Sequence, residues 1–336
     1  MTPKERMRRA LTYESVDRLP TQINYTAAAG RKMADHFNVA LEDLPRMLGN
    51  HMVRLDLAFP EHLSEDGRIK YDWWGAGFDT GEEGYFPGVN PLAGERDLDS
   101  FDWPNPDVAG LLDEAARRLA DWGQEFFIVP NFGFALFERA WSLRGFEQFL
   151  MDLALDPEYA AELLDLIADI QLRLIGRYLE LGIDGAYFGD DYGAQKGMLI
   201  SPAMWRQLIK PRLARLFAPF RERGMLILMH SDGQIQPILP DLVEIGLTAL
   251  NPVQPEVLDH RWLQANFGRQ LAFYGGISTQ TVLPNGTSAE VREAVANCAR
   301  DLAPDGVGLL VAPSHRLMSD IPVANVEALL EAFRGL

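Results

Sequence analysis

Short apolar runs that stop abruptly at polar, titratable or glycine residues recur along the second half of the chain. The sharpest is Met225-Leu226-Ile227-Leu228-Met229, which ends at His230-Ser231-Asp232-Gly233. Five consecutive apolar residues suit a strand buried on both faces, as in a parallel sheet. Similar runs predict strands at Gly185–Gly189, 248–250, 271–274 and 308–312. They end at Asp190-Asp191-Tyr192-Gly193-Ala194-Gln195, Asn251-Pro252-Val253-Gln254, Gly275-Gly276 and Pro313-Ser314-His315. Between them lie helical patterns. Ser201-Pro202 opens a helix running to about residue 223 with a bend at Pro211; others run to residue 245 and lie near Arg261. Thr287-Ser288-Ala289-Glu290 is a capping box, with Val291, Ala294, Val295, Cys298 and Leu302 on the buried stripe that follows. Val326, Leu329, Leu330 and Phe333 mark the last helix.

The first half is less regular. Thr2 and Glu5 form a capping-box pattern for a short helix to Leu11, ahead of the main fold. A first strand is expected at 19–24, then helical patterns to residue 37 and over 41–48, with Arg31 just past the small-residue turn Ala27-Ala28-Ala29-Gly30. Residues 108–119 read as a helix and 125–130 as a strand ending at Asn131-Phe132-Gly133-Phe134. Asp156-Pro157-Glu158 starts a long helix in the favoured way, a capping carboxylate before proline in the first turn. Residues 69–79 carry Tyr71-Asp72-Trp73-Trp74-Gly75 in a glycine-rich region running to Pro91 without helical period. This reads as a hairpin or excursion over one barrel mouth, either covering a core edge or walling a ligand pocket.

Strand and helix alternate over the last half, which predicts an α/β fold with a parallel sheet. Around eight strands in 336 residues favour a closed (β/α)8 TIM-like barrel with an N-terminal helical extension, read as one domain over 1–336. A doubly wound sheet is the alternative. No Gly-x-Gly-x-x-Gly follows a strand and no Walker loop is present, which weakens a nucleotide-binding version. The net charge of -17 argues against a general binder of nucleic acid or anionic membrane, since both need basic surface. No run approaches the ~20 apolar residues of a membrane span, and the N-terminus lacks a signal-peptide core. Cys298 is the only cysteine, so no disulfide framework is expected, and its place on an apolar stripe makes it a packing residue. A reducing cytoplasm is the expected compartment.

In a parallel β/α fold the residues just past the C-terminal strand ends face the ligand. Those ends would gather Asp190, Asp191, His230, Asp232, Asn251, Gln254 and His315 at one mouth. His230 and Asp232 are two apart in extended chain and can share a face. Together with His315 they could bind zinc or another divalent ion and leave positions open for substrate. Alternatively the same groups bind an anionic ligand with a histidine as proton donor. Adjacent Asp190 and Asp191 repel, so one is expected to be protonated or held by a cation, and either can orient substrate, act as base or cap the next turn. Arg31 either faces an anionic ligand or is solvated. No Gly-x-Ser-x-Gly elbow supports a serine hydrolase.

At these residues the chain resembles the uroporphyrinogen decarboxylase superfamily, which includes the decarboxylase and corrinoid-linked methyltransferases that pass methyl groups to thiols. The likeness rests on Thr2-Pro3-Lys4-Glu5-Arg6, Gly189-Asp190-Asp191-Tyr192-Gly193-Ala194-Gln195, Met229-His230-Ser231-Asp232-Gly233, Leu250-Asn251-Pro252-Val253-Gln254, Tyr274-Gly275-Gly276-Ile277 and Pro313-Ser314-His315, followed by Pro322 and Asn325. It implies a TIM-like barrel. The methyltransferase branch binds zinc through His-x-Cys and a distal cysteine, positions that fall here on His230, Asp232 and His315, so any metal site would be harder in character. The decarboxylases carry Ala-Gly-Arg, echoed by Ala29-Gly30-Arg31, and a catalytic aspartate in Phe-Ser-Asp, which is missing. The resemblance therefore implies one-carbon (methyl) transfer on a small molecule, with His230, His315, Asp190 and Asp191 as catalytic candidates. Arg31, Asp72, Trp73, Tyr192, Gln195, Asn251 and Gln254 are expected to contact substrate. A divalent metal, a corrinoid protein as partner and a homodimer accompany that expectation. Decarboxylation of a tetrapyrrole or other carboxylated substrate is the second implication, and a noncatalytic ligand-binding barrel the third.

Overall fold

Seven parallel strands follow one another round a curved sheet. They are β1 (Met52–Leu55), β2 (Phe127–Gly133), β3 (Gly185–Gly189), β4 (Leu226–His230), β5 (Ala249–Asn251), β6 (Ala272–Ile277) and β7 (Leu309–Pro313), each hydrogen-bonded to the next. The structure is a computed structural model that describes residues 1–59, 62–81, 83, 87–94 and 96–336. Side chains alternate with the two-residue strand period. On β4, Leu226 and Leu228 join an inner cluster with Met52, Phe127, Tyr187, Ala249, Ala272, Tyr274 and Leu310, whereas Ile227 and Met229 pack outward under the helices. His230 has the phase of Leu226 and Leu228, so the strand register aims it toward the barrel axis.

Extended chain fills the gap between β7 and β1. Bridges pair Thr21 with Val311 and Tyr25 with Leu317, and Gln22 N donates to Val311 O at 3.0 Å. Toward β1 the bonds are made by side chains. Gln22 Oε1 accepts from His51 N and Met52 N, while Asn50 Oδ1 accepts from Ile23 N and Asn50 Nδ2 donates to Ile23 O. The strand expected at 19–24 is thus an irregular eighth stave, and amide side chains close the ring there in place of a ladder.

Helix Pro3–Leu11 seals the N-terminal end of the barrel. Thr2 caps it, accepting from Glu5 N at 3.1 Å, and Met7 and Leu11 enter the inner cluster. Burying each of these two side chains contributes about 1.5–3 kcal/mol. Its backbone and side chains meet the starts of strands, with Lys4 N donating to Glu125 O, Gly308 N to Ala10 O, and Lys4 Nζ 2.8 Å from Asp184.

Several elements differ from expectation for physical reasons. Strand β1 is unforeseen because Arg54 interrupts its apolar run. The helix expected from 108 begins at Asp113, after a turn in which Gly110 adopts φ +79°. The bend expected at Pro211 is a π-turn, Trp205–Ile209, inside an otherwise helical stretch to Arg221. Proline has no N–H and crowds the carbonyl four residues back, and the wider turn relieves both. Helices Phe137–Arg144 and Phe146–Leu155 are also unforeseen. The long helix Pro157–Leu181 is capped by Asp156 and stopped by a left-handed Gly182 as expected.

The aromatic excursion is a four-stranded antiparallel sheet of His62–Leu63, Ile69–Tyr71, Gly77–Asp79 and Pro87–Val89. Residues 82 and 84–86 of its glycine-rich stretch lie outside the described residues. Asp72 Oδ1 organises its turn by accepting from Trp74 N and Ala76 N, and Asp72 Oδ2 pairs with Arg139. Glu83 ties the sheet to the barrel by accepting from Thr26 Oγ1 and from Ser319 N and Oγ. No helix among the described residues is long and apolar enough to cross a membrane.

Candidate active site

The two aspartates after β3 have different surroundings. Asp190 is fully buried, and its carboxylate accepts from Leu136 N, Phe137 N and Glu138 N (3.2, 2.8 and 2.7 Å) and from the Tyr192 hydroxyl (2.8 Å). It therefore caps the helix Phe137–Arg144, which has no capping side chain of its own. Burial raises its pKa, while the N–H groups and the Tyr192 hydroxyl pull the other way. Asp191 turns toward the mouth. Its Oδ1 accepts from Asp232 N at 2.8 Å and lies 3.7 Å from His230 Nε2.

The loops carrying Asp191 and Asp232 pack backbone against backbone. A Cβ on Gly193 would lie 2.7 Å from Asp232 O, and one on Gly233, at φ +79°, would lie 2.4 Å from Gly193 C. Only glycine fits at that distance. Tyr192 N donating to Ser231 Oγ and Gln234 N donating to Ala194 O fasten the same contact. These glycines set the separation of two carboxylates they do not touch through side chains.

His230 is held from behind by Asn251. Asn251 Nδ2 donates to Tyr274 O at 3.0 Å, so its Oδ1 is the acceptor facing the Tyr187 hydroxyl (3.0 Å) and His230 Nδ1 (2.7 Å). That assignment places a proton on Nδ1 and leaves Nε2 facing the mouth, 3.7 Å from Asp191 Oδ1 and from Asp232 Oδ2. Burial opposes a charge on His230, but the Asp232 and Asp191 carboxylates and the Asn251 oxygen outweigh it and raise its pKa to about 10. For Asp232 burial raises the pKa, yet the neighbouring imidazoles hold it below the ordinary value. Burial lowers that of His315.

His315 reaches the same place from β7, its ring centroid 6.0 Å from that of His230. One ligand atom from each of His230, Asp232 and His315 lies within 4.8 Å of the others. Donors about 2.0–2.2 Å from a tetrahedral zinc stand about 3.4 Å apart, so these side chains need to close by little more than an ångström. Two imidazoles and one carboxylate form a donor set suited to zinc or a harder divalent ion.

A cavity of about 680 Å³ opens above these groups. Its walls include Asn24, Arg54, Tyr187, Asp191, His230, Asn251 and His315 from the barrel, with Phe59, Lys70, Tyr71, Asp72 and Phe78 from the excursion and the stretch leading to it. The excursion is therefore a wall of this pocket. Asp72 lines it while held by Arg139, whose guanidinium lies 5.1 Å from the Trp74 ring and 5.4 Å from Phe134. Trp73 packs against Trp74 and the core edge and is not among the lining residues.

Other expected site residues lie elsewhere. Asp190 and Tyr192 are buried in the helix cap, so the geometry gives them a positioning part in place of the catalytic and substrate-contacting parts expected. Arg31 is exposed on helix Ala27–Phe37 and Gln195 is exposed at a hairpin turn, because the chain leaves the strand end before reaching each; neither lines the mouth cavity or the smaller one beside His315. Gln254 is buried and faces a second, smaller cavity beside His315. Sequence reasoning missed Arg54, Tyr187 and Glu138. Arg54 stacks 4.8 Å from the Tyr187 ring, and its charge within a short apolar run was the available signal. Glu138 lines the cavity, and burial, with Asp191 and Asp190 nearby, raises its pKa well above the carboxylate range.

A closed parallel barrel with imidazoles and carboxylates at the C-terminal ends of its strands is the (β/α)8 arrangement in which active sites are built. The chain belongs to the uroporphyrinogen decarboxylase (URO-D) family, which it matches over residues 72–336. No match was found among curated proteins. Among solved structures it is similar to a methyltransferase from Methanosarcina mazei, at 19% identity and a TM-score of 0.75 over 100% of this chain and 99% of that one. It is also similar to a B12-independent methionine synthase from Shewanella sp. W3-18-1 in complex with selenomethionine, at 10% identity and a TM-score of 0.52 over 94% and 96%. At these identities the likeness is one of fold.

Proposed function

We propose that the chain is a metal-dependent methyl (one-carbon) transferase acting on a small molecule in the mouth cavity. The observation that carries this reading is the convergence of His230, Asp232 and His315 donor atoms within 4.8 Å. Bound there, a divalent ion supplies Lewis acidity that lowers the pKa of a thiol or polarises a carbonyl. The chain's own groups do the rest. Asn251 fixes the His230 ring so that Nε2 faces the ion's position, the supporting role that metal-ligating histidines require. The excursion walls the cavity and limits water. In the transfer the methyl carbon leaves its donor, which keeps the bonding electron pair, and bonds to the acceptor. The proton the acceptor loses goes to Asp191, whose carboxylate lines the mouth 3.7 Å from His230 Nε2 and whose pKa burial raises. A corrinoid carried by a partner protein is the methyl donor in this reading.

Decarboxylation of a carboxylated substrate is the second reading. It is favoured by Arg54, Lys70 and Arg316 around the cavity, and by Glu138 in its wall, a carboxyl whose pKa burial and the nearby Asp191 and Asp190 raise. Zinc content and zinc titration of the protein stripped with EDTA, combined with transfer from methylcobalamin to 2-mercaptoethanol followed by absorbance, test the choice. Stoichiometric zinc, lost in His230→Ala and His315→Ala together with transfer, is the expected result. A protein that binds no zinc and transfers no methyl group sinks the methyl-transfer reading, and one that transfers equally well after stripping sinks its metal dependence.

A further inference from the structure

Beside the mouth, sharing part of its wall, lies a second chamber of about 230 Å³. It is floored by the residues that follow three consecutive strands: Gln254 after β5, Thr279 after β6, and Ser314 and His315 after β7. Asp232 lines it as well, while Ser314, His315 and Arg316 also line the large cavity. The two spaces thus meet at the metal-ligating cluster. At about 30 Å³ per water the chamber holds the volume of seven or eight waters, below the range of drug-sized pockets.

Gln254 is the feature that calls for an occupant. It is only 4% exposed and lines the chamber, and no described residue hydrogen-bonds its side-chain amide. Buried amides in native proteins have partners, so this one is completed by whatever fills the space. Its neighbours are rich in donors. Ser314 Oγ accepts from Thr279 N at 3.3 Å and lies 3.2 Å from Thr279 Oγ1, so of the two hydroxyl hydrogens only one is used between them and the other is left for a further acceptor. Arg316 adds a guanidinium at the wall. Against an anion stand Asp232, which shares the His230 imidazole with Asp191 at 3.7 Å, and Asp320, which is exposed at the rim; the Arg316 guanidinium is the cation on the anion's side. Met318 and Ile321 supply an apolar side.

We propose that this chamber is a second small-molecule subsite that takes a carboxylate. The carboxylate is met by the Gln254 amide and the Thr279–Ser314 hydroxyl pair, and the other end of the molecule points to Asp232 and His315. The subsite itself stands apart from the reaction assigned above. Naming its occupant as the methyl acceptor rests on the methyl-transfer reading, and makes the two substrates bind side by side, not in turn.

Protein labelled with ¹³C-methyl methionine reports on this directly, with the Met318 signal assigned through Met318→Leu. Acetate added to the EDTA-stripped protein is expected to shift the Met318 methyl saturably, whereas methylammonium at equal concentration does not. Gln254→Leu is expected to raise the acetate Kd about tenfold or more, and Thr279→Val severalfold, with circular dichroism unchanged. Absence of a saturable acetate shift overturns the subsite. So does an equal response to methylammonium, or an acetate Kd unchanged in both folded variants. Zinc titration of the same samples separates the two ideas: acetate binding without zinc binding keeps the subsite and removes the metal-dependent methyl-transfer reading, and zinc binding without acetate does the reverse.

Discussion

Each end of the barrel carries a histidine at the wall, buried at one end and half-buried at the other, and the two are treated in opposite ways. At the N-terminal end His51, 1% exposed, accepts at Nε2 from Arg6 (3.0 Å) and donates from Nδ1 to Thr21 O (2.9 Å). Every hydrogen-bonding position of the ring is used, and burial, with the charges of Arg18 and Arg6, lowers its pKa to about 4. At the C-terminal end His230 is anchored at Nδ1 only, and its other nitrogen faces two carboxylates across a cavity. One ring is a finished part of the frame. The other leaves Nε2 open toward a cavity, 3.7 Å from each of two carboxylates. The contrast shows that burial alone does not mark a functional histidine; the identity of its charged neighbours and the direction of its second nitrogen do.

Three measurements bear on that contrast. The largest effect is expected at Asp190, which lies at the mouth yet belongs to the frame. Asp190→Ala leaves three N–H groups and a hydroxyl without an acceptor and should cost about 3–5 kcal/mol in denaturant unfolding. A loss below about 1 kcal/mol would place Asp190 with the reactive groups after all. Next is the pH dependence of stability contributed by His51. Its folded pKa is depressed, so the native state binds fewer protons than the unfolded chain. Its stabilising contribution is full above the unfolded value near 6.5 and is lost as pH falls toward about 4. About 2–3 kcal/mol of acid destabilisation over that window should be present in the parent and missing in His51→Gln, measured as the difference between their unfolding curves. The smallest expected effect is at Asn251. Asn251→Leu frees His230 Nδ1 and should weaken zinc binding about 10–100-fold, roughly 1.4–2.8 kcal/mol, with little change in fold. Unchanged zinc affinity would mean that the ring needs no support from behind.

Much of the barrel was legible because its later strands are buried on both faces and so read as unbroken apolar runs with abrupt polar ends. His230, Asp232 and His315 were legible for the same reason: strand phase and strand end are local properties. Arg54 was not, since a single inward charge makes β1 look like loop. Glu138 and Arg139 were illegible for a different reason. The carboxylate that starts their helix arrives from Asp190, 53 residues after Phe137, so no local cap announces the element. Asp190 and Tyr192 looked reactive in sequence because a cap supplied to a distant helix is indistinguishable there from a carboxylate facing ligand. Asp72 and its aromatic neighbours were placed at the mouth by composition, but their grip on Arg139 is a tertiary contact without a sequence trace.

The eighth stave has a consequence for how the cylinder opens. Seven joints are multiply bonded backbone seams, whereas the joint with β1 hangs on the amides of Gln22 and Asn50, with the ring of His51 beside them. A chain that loosens does so first where one side chain does the work of several peptide groups. Deuterium should reach the Ile23 and Met52 amides before it reaches those of β4, and replacing Gln22 should split the wall lengthwise while leaving the rim residues in register.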